Sequence, residues 1–562
     1  MAKVPVPRGF VNLKNPTRPL GLRLPRRRAR RMVRGMHSPG RFVRSAVVIG
    51  VLTLGSRLLG LAREAVLGYF FSTSEVLSAF RIAFMVPNLA RRLFGEGALS
   101  SALVPVLTDC LHTQGETTAR RLVGTILTLL IVVLAAGVVG AEVVIAIWRH
   151  VQPDQALDLS AILLPYMVLI CVVAVVGGVL NVRERFAAPA AAPMLLNLGI
   201  IIAAVGGATL TGRSGADLIR IVCAGVLAAG VAQLLFVGFA LTRARFTPIF
   251  GGDWRGGEVR AVVGLMLPMV VGLSAVQINT LADYLMAYVF VSGEKGRVGP
   301  AVLGYAQFLY QLPLGVFGIA LATAIFPTLS RSAAEADHRG LADTLAHGMR
   351  LSLFIALPAS VGLVFVAVPA VATIYEHGAF DAADTQRVAA SVAFYAAGLG
   401  AYALQHVLVR AFYALKDGRT PARIAMMMVV VNVVLNLMLV FRMEERGLAL
   451  ATAVSAGVQV TYLAAALRRK LPEIAWRRVG AGAAKTAAAT GCMAAALVPL
   501  VRRDMLGGAM VDHTAIHLAA LMFVGVVTYG VAAWALGMEE LRMVLRRRVA
   551  PHAPSPPEDA DA

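Results

Sequence analysis

The chain has 562 residues, of which 58% are hydrophobic and 15% are charged, and its mean hydropathy is +0.73. A soluble globular chain carries roughly 45–50% apolar and about 25% charged residues, so this composition argues against soluble domains and predicts one membrane domain that fills most of the chain. The formal net charge is +22, and residues 1–45 hold thirteen basic residues and no acidic one. Beside a membrane segment, such a tail is more typical of the cytoplasmic side or of contact with anionic membrane lipids than of nucleic-acid binding.

Fourteen apolar stretches are long enough to cross about 30 Å of hydrocarbon. They lie at residues 46–71, 78–108, 122–148, 158–181, 188–210, 217–241, 259–291, 300–328, 348–375, 387–413, 421–441, 447–467, 480–501 and 515–537. The even-numbered connections carry more Arg and Lys than the odd-numbered ones, which places both termini in the cytoplasm. The expected fold class is therefore an all-α polytopic membrane protein with about 14 transmembrane helices.

An internal repeat divides these segments. Residues 97–107 (GALSSALVPVL) match 319–329 (IALATAIFPTL) in register, and 183–193 and 416–425 each place a basic turn before a proline. We therefore expect two six-helix lobes related as parallel repeats, at 46–241 and 259–467, followed by two C-terminal helices at 480–537. The flanking segments 1–45 and 538–562 are predicted to be cytoplasmic tails, the first of them disordered.

Motifs for metal binding or catalysis are absent from the sequence. Cys110, Cys171, Cys223 and Cys492 are scattered, without CxxC or Cys/His spacing, so they predict neither a metal site nor a disulfide framework. There is also no Walker loop, HExxH or nucleophile motif. We therefore expect no enzyme activity and no cofactor.

The first two segments carry an unusual set of ionisable residues at membrane depth. These residues are Arg57, Arg63, Glu64, Arg81, Arg91, Arg92 and Glu96. Each costs roughly 2.5–3.5 kcal/mol on insertion scales and by default indicates a functional site. Because arginines outnumber acids, a cavity lined by them would be positive and would suit an anionic substrate, phosphate in particular.

Helical spacing gives a first assignment of partners within this set. Arg57 and Glu64 are seven residues apart and share a helix face, whereas Arg63 lies about 100° away from Glu64. Arg92 and Glu96 are four residues apart and can pair. Arginines near helix ends can instead snorkel to lipid headgroups, and Arg81 is the residue for which we expect this.

In the second half, Asp283 and Arg410 are the main ionisable candidates at membrane depth. Asp283 could bind a coupling cation or pair with an arginine, and the sequence leaves both open. Its polar neighbours are predicted to be Gln277, Asn279, Gln307, Gln311 and Gln405.

The stretches SRLLGLAREAVLGYFF (56–71) and FRIAFMVPNLARRLFGEGALSSALVPVL (80–107) resemble the MurJ (MviN) family of lipid II flippases, and the resemblance runs from about residue 45 to residue 540. This family belongs to the multidrug/oligosaccharidyl-lipid/polysaccharide exporter superfamily. The resemblance implies two lobes around a cationic cavity and alternating access. It also implies transfer of lipid II, an undecaprenyl-pyrophosphate-linked peptidoglycan precursor, to the outer leaflet of the bacterial inner membrane for cell-wall synthesis.

By motif, the resemblance assigns pyrophosphate binding to Arg57, Arg63, Arg91 and Arg92. It assigns supporting or gating roles to Glu64, Glu96 and Asp283, with a coupling cation as a further candidate partner.

Three places depart from the family pattern. Ser78 replaces an acid, Tyr284 replaces the arginine after Asp283, and Gln307-Phe308 replaces an acid–arginine pair. The second lobe therefore lacks an arginine for the pyrophosphate, and the positive cavity is predicted to be lopsided.

Two other functions stay open. One is a polysaccharide-lipid flippase or cation-coupled exporter of the same superfamily, although the arginine excess argues against an exporter of cationic drugs. The other is a non-transporting scaffold for cell-wall assembly that recruits partners through its basic tail.

Overall fold

Long apolar segments in a membrane must satisfy their backbone hydrogen bonds internally, and helices do so. A computed structural model describes residues 39–95, 98–506 and 514–546, and every regular element in this part of the chain is a helix. The first described helix begins at Pro39, seven residues before the predicted start at residue 46. The rest of the predicted N-terminal tail, residues 1–38, lies outside the described residues.

The first half of the chain is α1 (Pro39–Phe71), α2 (Glu75–Ala90), a π-helical break (Arg91–Gly95), α3 (Ala98–Thr113), α4 (Glu116–Val151), α5 (Gln155–Val182), α6 (Ala187–Thr211) and α7 (Gly215–Arg243). The second half is α8 (Gly257–Phe290), α9 (Gly299–Pro313), a second π-helical break (Leu314–Ile319), α10 (Ala320–Ala334), α11 (His338–Tyr375), α12 (Ala382–Ala397), α13 (Leu399–Ala414) and α14 (Arg419–Lys470). The chain continues with α15 (Trp476–Leu506), α16 (Thr514–Ala535) and α17 (Glu539–Arg546).

The internal repeat appears as the same helix–break–helix pattern in both halves. The stretches 78–108 and 300–328, predicted as continuous, are each divided by a π-helical segment. The helix after each break carries a proline at its eighth residue, Pro105 in α3 and Pro327 in α10. The second pair of matching segments, 183–193 and 416–425, also shares a backbone geometry, because Glu184 and Lys416 both adopt a positive φ in the turn before the next helix.

One predicted connection between two helices is a kink within a single helix. The stretches 421–441 and 447–467 belong to a single long element, α14, which is kinked at Glu444 (φ 53°, ψ −135°). At Gly447 an added Cβ would lie 2.6 Å from the carbonyl oxygen of Leu439, so this turn needs glycine for close backbone approach.

Within the described residues, eight helices are long and apolar enough to cross a membrane, or nine if the bent pair α12–α13 forms one span. Helices α2, α3, α9 and α10, at 15 or 16 residues each, are too short to qualify singly because of the π-helical breaks. The all-α polytopic membrane class is confirmed, and the number fourteen stays a prediction.

Small residues set the packing between helices, as is common in membranes. At Gly199 in α6 an added Cβ would lie 2.6 Å from the Ala229 Cβ in α7, so only a very small residue permits this approach. At the other end of the chain, Tyr529 in α16 donates a hydrogen bond to the Phe354 carbonyl in α11 at 2.6 Å. The predicted tail at 538–562 begins with helix α17, and residues 547–562 lie outside the described part.

Candidate functional site

A cavity of about 430 Å³ lies between the two halves. Its polar lining comes from α1, α2, the first π-helical break, α8, α9, α13 and α14. These residues are Arg63, Glu64, Arg81, Asn88, Arg92, Gln277, Asn279, Thr280, Asp283, Tyr284, Gln307, Tyr310, Gln311, Tyr402, Gln405, His406, Thr452, Ser455 and Gln459. The structure therefore brings together residues far apart in the chain, including all five polar neighbours that were expected around Asp283.

On the N-terminal side, one carboxylate is shared by two guanidinium groups. Glu64 is 3% exposed, and it accepts from Arg63 Nη2 at 2.5 Å and from Arg81 Nη2 at 2.7 Å. The expectation that Arg81 snorkels to headgroups is wrong, because its side chain is only 13% exposed, lines this cavity and binds Glu64. Arg63, which helical spacing places about 100° from Glu64, reaches it because the flexible guanidinium and carboxyl ends turn towards each other.

A second cavity of about 470 Å³ lies within the first half. Arg91 lines this cavity, together with Ser100, Asn181, Asn197 and Gln233. Arg63, Phe84, Asn88 and Arg92 line both cavities and therefore form the wall between them.

Hydrogen bonds hold the arginines of this wall and the neighbouring Arg91. Arg63 Nη1 donates to Asn197 Oδ1 at 3.0 Å, and Arg91 donates to Asn88 Oδ1 at 2.9 and 3.1 Å. Arg92 Nη1 reaches Gln277 Oε1 of the second half at 3.5 Å.

Two predicted site residues lie elsewhere. Arg57 is absent from the described lining of both cavities and packs over Gly315, where an added Cβ would lie 2.8 Å from its Cζ. Glu96 lies outside the described residues, so its predicted pairing with Arg92 stays a prediction.

Asp283 in α8 sits among amide and hydroxyl groups on the C-terminal side of the cavity. It is 2% exposed, and it accepts from Asn436 Nδ2 at 2.6 Å and from Thr452 Oγ1 at 3.3 Å. Asn436 Nδ2 also donates to Asn432 Oδ1 at 2.9 Å, and the buried Asn436 Oδ1 has no hydrogen-bond partner in the described part. No ion pair of Asp283 with an arginine occurs among the described residues.

Arg410, the other candidate of the second half, lies outside the described lining of both cavities. Its guanidinium stacks over Phe326, with the Cζ 5.2 Å from the ring centroid.

A separate polar group, the Lys295 cluster, joins the two halves at one end of the molecule. It consists of Ser72, Thr73, Lys295, Asp381 and Asp384. The buried Asp384 carboxylate accepts from the Ser72 and Thr73 hydroxyls, and Lys295 Nζ lies 2.6 Å from it and 2.7 Å from Asp381.

Charge in the Lys295 cluster shifts the ionisation of its members. Partial burial lowers the pKa of Lys295, but its hydrogen bonds to the two carboxylates outweigh this effect and raise the pKa above its ordinary value. The hydrogen bond from Lys295 lowers the pKa of Asp381. Both groups are therefore charged over the whole neutral range.

Comparison with known proteins decides the family. The sequence model described as "Lipid II flippase MurJ" matches residues 67–518. The chain belongs to this family. The lipid II flippase MurJ of Burkholderia cenocepacia is 32% identical over 452 residues, covering 77% of this chain and 86% of that protein. The probable lipid II flippase MurJ of Rhizobium tropici is 30% identical over 545 residues, covering 92% and 99%.

Solved structures show the same fold. A lipid II flippase MurJ in an inward closed conformation superposes with a TM-score of 0.70 at 22% identity, covering 89% of this chain and 99% of that one. An inward-facing multidrug resistance MATE transporter of the MOP superfamily gives 0.63 at 15% identity, covering 76% and 98%.

Two of the positions predicted to depart from the family pattern, Tyr284 and Gln307, contact each other. Tyr284 donates from its hydroxyl to Gln307 Oε1 at 3.3 Å, and Gln307 donates onward to the Tyr395 hydroxyl at 3.3 Å. An uncharged hydrogen-bonded chain thus occupies these positions. Ser78 is also used structurally, because its hydroxyl accepts from the Ala301 backbone N–H at 3.3 Å.

The predictions from the sequence did not include the amide side chains of the site. Asn88, Asn197, Asn432 and Asn436 orient the charged groups of the site, and none was a predicted site residue. An amide inside an otherwise apolar helix was the available signal, because a buried amide must find hydrogen-bond partners.

Proposed function

We propose that this protein moves lipid II from the inner to the outer leaflet of the bacterial inner membrane by alternating access, for peptidoglycan synthesis. Membership of the MurJ family and the named activity of its relatives support the substrate. The observation that carries the mechanism is the cavity between the halves, where Arg63, Arg81 and Arg92 lie with the single shared acid Glu64 on its N-terminal wall. We propose transport without chemical conversion, so the protein is not an enzyme.

The arginines are assigned to the pyrophosphate, as planar guanidinium donors match phosphate oxygens well. Arg63 and Arg92 would bind it in the cavity between the halves, and Arg91 would reach it from the adjoining cavity. Arg57 would contact the substrate only after the halves move, because it now packs over Gly315. Glu64 holds Arg63 in place, and Glu96 keeps its proposed supporting role.

The moving bodies are proposed to be the lobes at 46–241 and 259–467, with residues 480–537 as an added pair of helices. Loop charges support cytoplasmic termini. In that orientation the Lys295 cluster lies at the outer face, where it would keep the outer end closed.

Asp283 is proposed to bind a coupling cation. The surroundings of Asp283 suit a cation, because Asp283, Thr452 and the unpartnered Asn436 Oδ1 offer oxygen ligands in one buried place. The absence of a described arginine partner favours this role over an ion pair. Binding there would link the ion gradient to the position of α8 relative to α14.

The test is complementation of a bacterium depleted of its own lipid II flippase. Arg63→Ala and Arg91→Ala variants should express normally and fail to restore growth, whereas Arg220→Ala, on the exposed surface, should restore it. Normal growth with either cavity variant would refute its assignment.

A reconstituted assay separates the alternative functions. Purified protein in vesicles should transfer lipid II between leaflets, and Asp283→Asn should remove the dependence of this transfer on the ion gradient. A scaffold would transfer nothing, and a different flippase would prefer another lipid-linked saccharide over lipid II.

A further inference from the structure

Arg81, which lines the cavity from α2, contacts both Glu64 of α1 and the second half of the chain. Its Cζ lies 4.7 Å above the centroid of the Tyr305 ring in α9. A Cβ added at Gly304 would overlap the Arg81 guanidinium, so glycine at this position creates the space that Arg81 fills. The guanidinium of Arg81, a residue of the first half, is therefore in direct contact with the second half.

The charge balance at this point favours an anion. Arg63 and Arg81 share Glu64, so the group of three carries a net positive charge beside the cavity. The Nε groups of Arg63 and Arg81 are buried, and neither has a hydrogen-bond partner in the described part of the chain. A buried donor without an acceptor is costly, and more so on a charged group.

We propose that Arg81 is a further phosphate-binding residue of the cavity, which Glu64 holds in position until an anionic headgroup arrives. The inference rests on the proposed function, and it adds a phosphate-binding residue of the first half that contacts the second half through the ring of Tyr305. Phosphate oxygens would accept from the terminal guanidinium N–H groups of Arg81 and Arg63 that Glu64 now holds, and Glu64 would compete with them. Arg81 comes from α2, but it thereby places a positive charge beside the second half.

A purely structural role for Arg81 leads to different expectations. An ion pair that only ties α2 to α1 would leave phosphate affinity unchanged when it is broken, provided that the protein folds. A phosphate-binding Arg81 predicts opposite effects of its two partners. Loss of Arg81 should weaken binding, and loss of the Glu64 charge should strengthen it.

The experiment measures binding of farnesyl pyrophosphate, farnesyl monophosphate and inorganic pyrophosphate to the purified full-length protein in detergent, by native mass spectrometry. Charge-assisted hydrogen bonds of about 1.5–3 kcal/mol correspond to about a 10-fold to 100-fold loss of farnesyl pyrophosphate affinity in Arg81→Gln. Arg81→Lys should recover part of this loss, and Glu64→Gln should bind more tightly than the unaltered protein. The monophosphate should show a smaller loss, since it has fewer acceptors.

Two further variants keep the test decisive. Gly304→Ala leaves the charge of Arg81 in place but displaces it, and should also weaken binding if Arg81→Gln does not fold. Arg410→Gln removes a guanidinium that lies outside the described cavity linings, and should bind normally. Inorganic pyrophosphate separates a site for the phosphate group alone from one that needs the lipid chain.

The outcomes distinguish the inference from the proposed function. Normal farnesyl pyrophosphate affinity in both Arg81→Gln and Gly304→Ala, with weakened binding in Arg63→Ala, would overturn the role of Arg81 and leave the proposed function standing. Normal affinity in Arg63→Ala as well would refute the phosphate site itself.

Discussion

Replacing Lys295 by methionine should weaken the contact between the two halves that the Lys295 cluster forms and favour opening of this end of the molecule. Lys295 is bound to Asp384, whose side chain is 5% exposed, while the lysine side chain itself is 34% exposed. Removing one partner of a fully buried pair costs about 3–5 kcal/mol, and exposed pairs contribute about 0–1 kcal/mol. Since Asp384 keeps the hydroxyl donors of Ser72 and Thr73, we expect a loss of about 2 kcal/mol, which shifts the closed–open equilibrium about 30-fold.

The shift can be measured as a distance between the halves by double electron–electron resonance. Spin labels on Gln152→Cys and His377→Cys, both exposed near this end, would report it, with the exposed Cys492 replaced by serine. Lys295→Met should increase the population at long distance. The control Arg220→Met removes a basic residue from an exposed pair and should leave the distribution unchanged. An unaltered distribution in Lys295→Met would show that the cluster does not hold the halves together.

The same cluster gives the pH range of closure. Because Lys295 lowers the pKa of Asp381, the stabilisation from this carboxylate is present above its ordinary value of about 3.9 and is lost as the pH falls through the lowered pKa. The raised pKa of Lys295 means that its contribution is present below about 10.4 and is lost as the pH rises through the raised value. The label distance should stay constant between these limits, and Lys295→Met should abolish the alkaline transition.

Two stability predictions concern contacts away from the site. Arg387→Leu should lower the apparent Tm in detergent by several degrees, because it leaves the fully buried Glu445 carboxylate without the guanidinium at 2.9 and 3.0 Å, a loss of about 3–5 kcal/mol. Additional replacement of Glu445 by leucine should recover most of the lost stability. An unchanged Tm in the single variant would contradict the reasoning. Gly225→Val should destabilise the α6–α7 contact by about 1–3 kcal/mol, because its side chain would overlap Ala203. Gly238→Val, in open space on α7, is the matched control and should melt like the unaltered protein.

Local sequence was sufficient to predict the helices and the class of the protein. Each predicted apolar stretch coincides with a helix or a broken helix, because a segment of this hydropathy must satisfy its backbone internally in a membrane. The cost of charge at membrane depth likewise selected Arg63, Arg91 and Arg92, which line the cavities. The π-helical breaks were missed. The first contains Arg91 and Arg92 but lies inside a long apolar stretch, and the second is as apolar as the helices on either side of it.

Only the tertiary structure decided which residues meet. Arg63 finds Asn197 134 positions away, and Asp283 finds Asn436 153 positions away, so neither partnership has a local signal. Arg81 was predicted to snorkel because nothing in the sequence of its own helix indicates a partner for the guanidinium inside the protein. The structure supplies that partner, as the space above Gly304 and the ring of Tyr305 belong to the other half of the chain. Helix formation depends on the hydrophobicity and hydrogen bonding of one segment, whereas the charge of the cavity depends on which segments pack against each other.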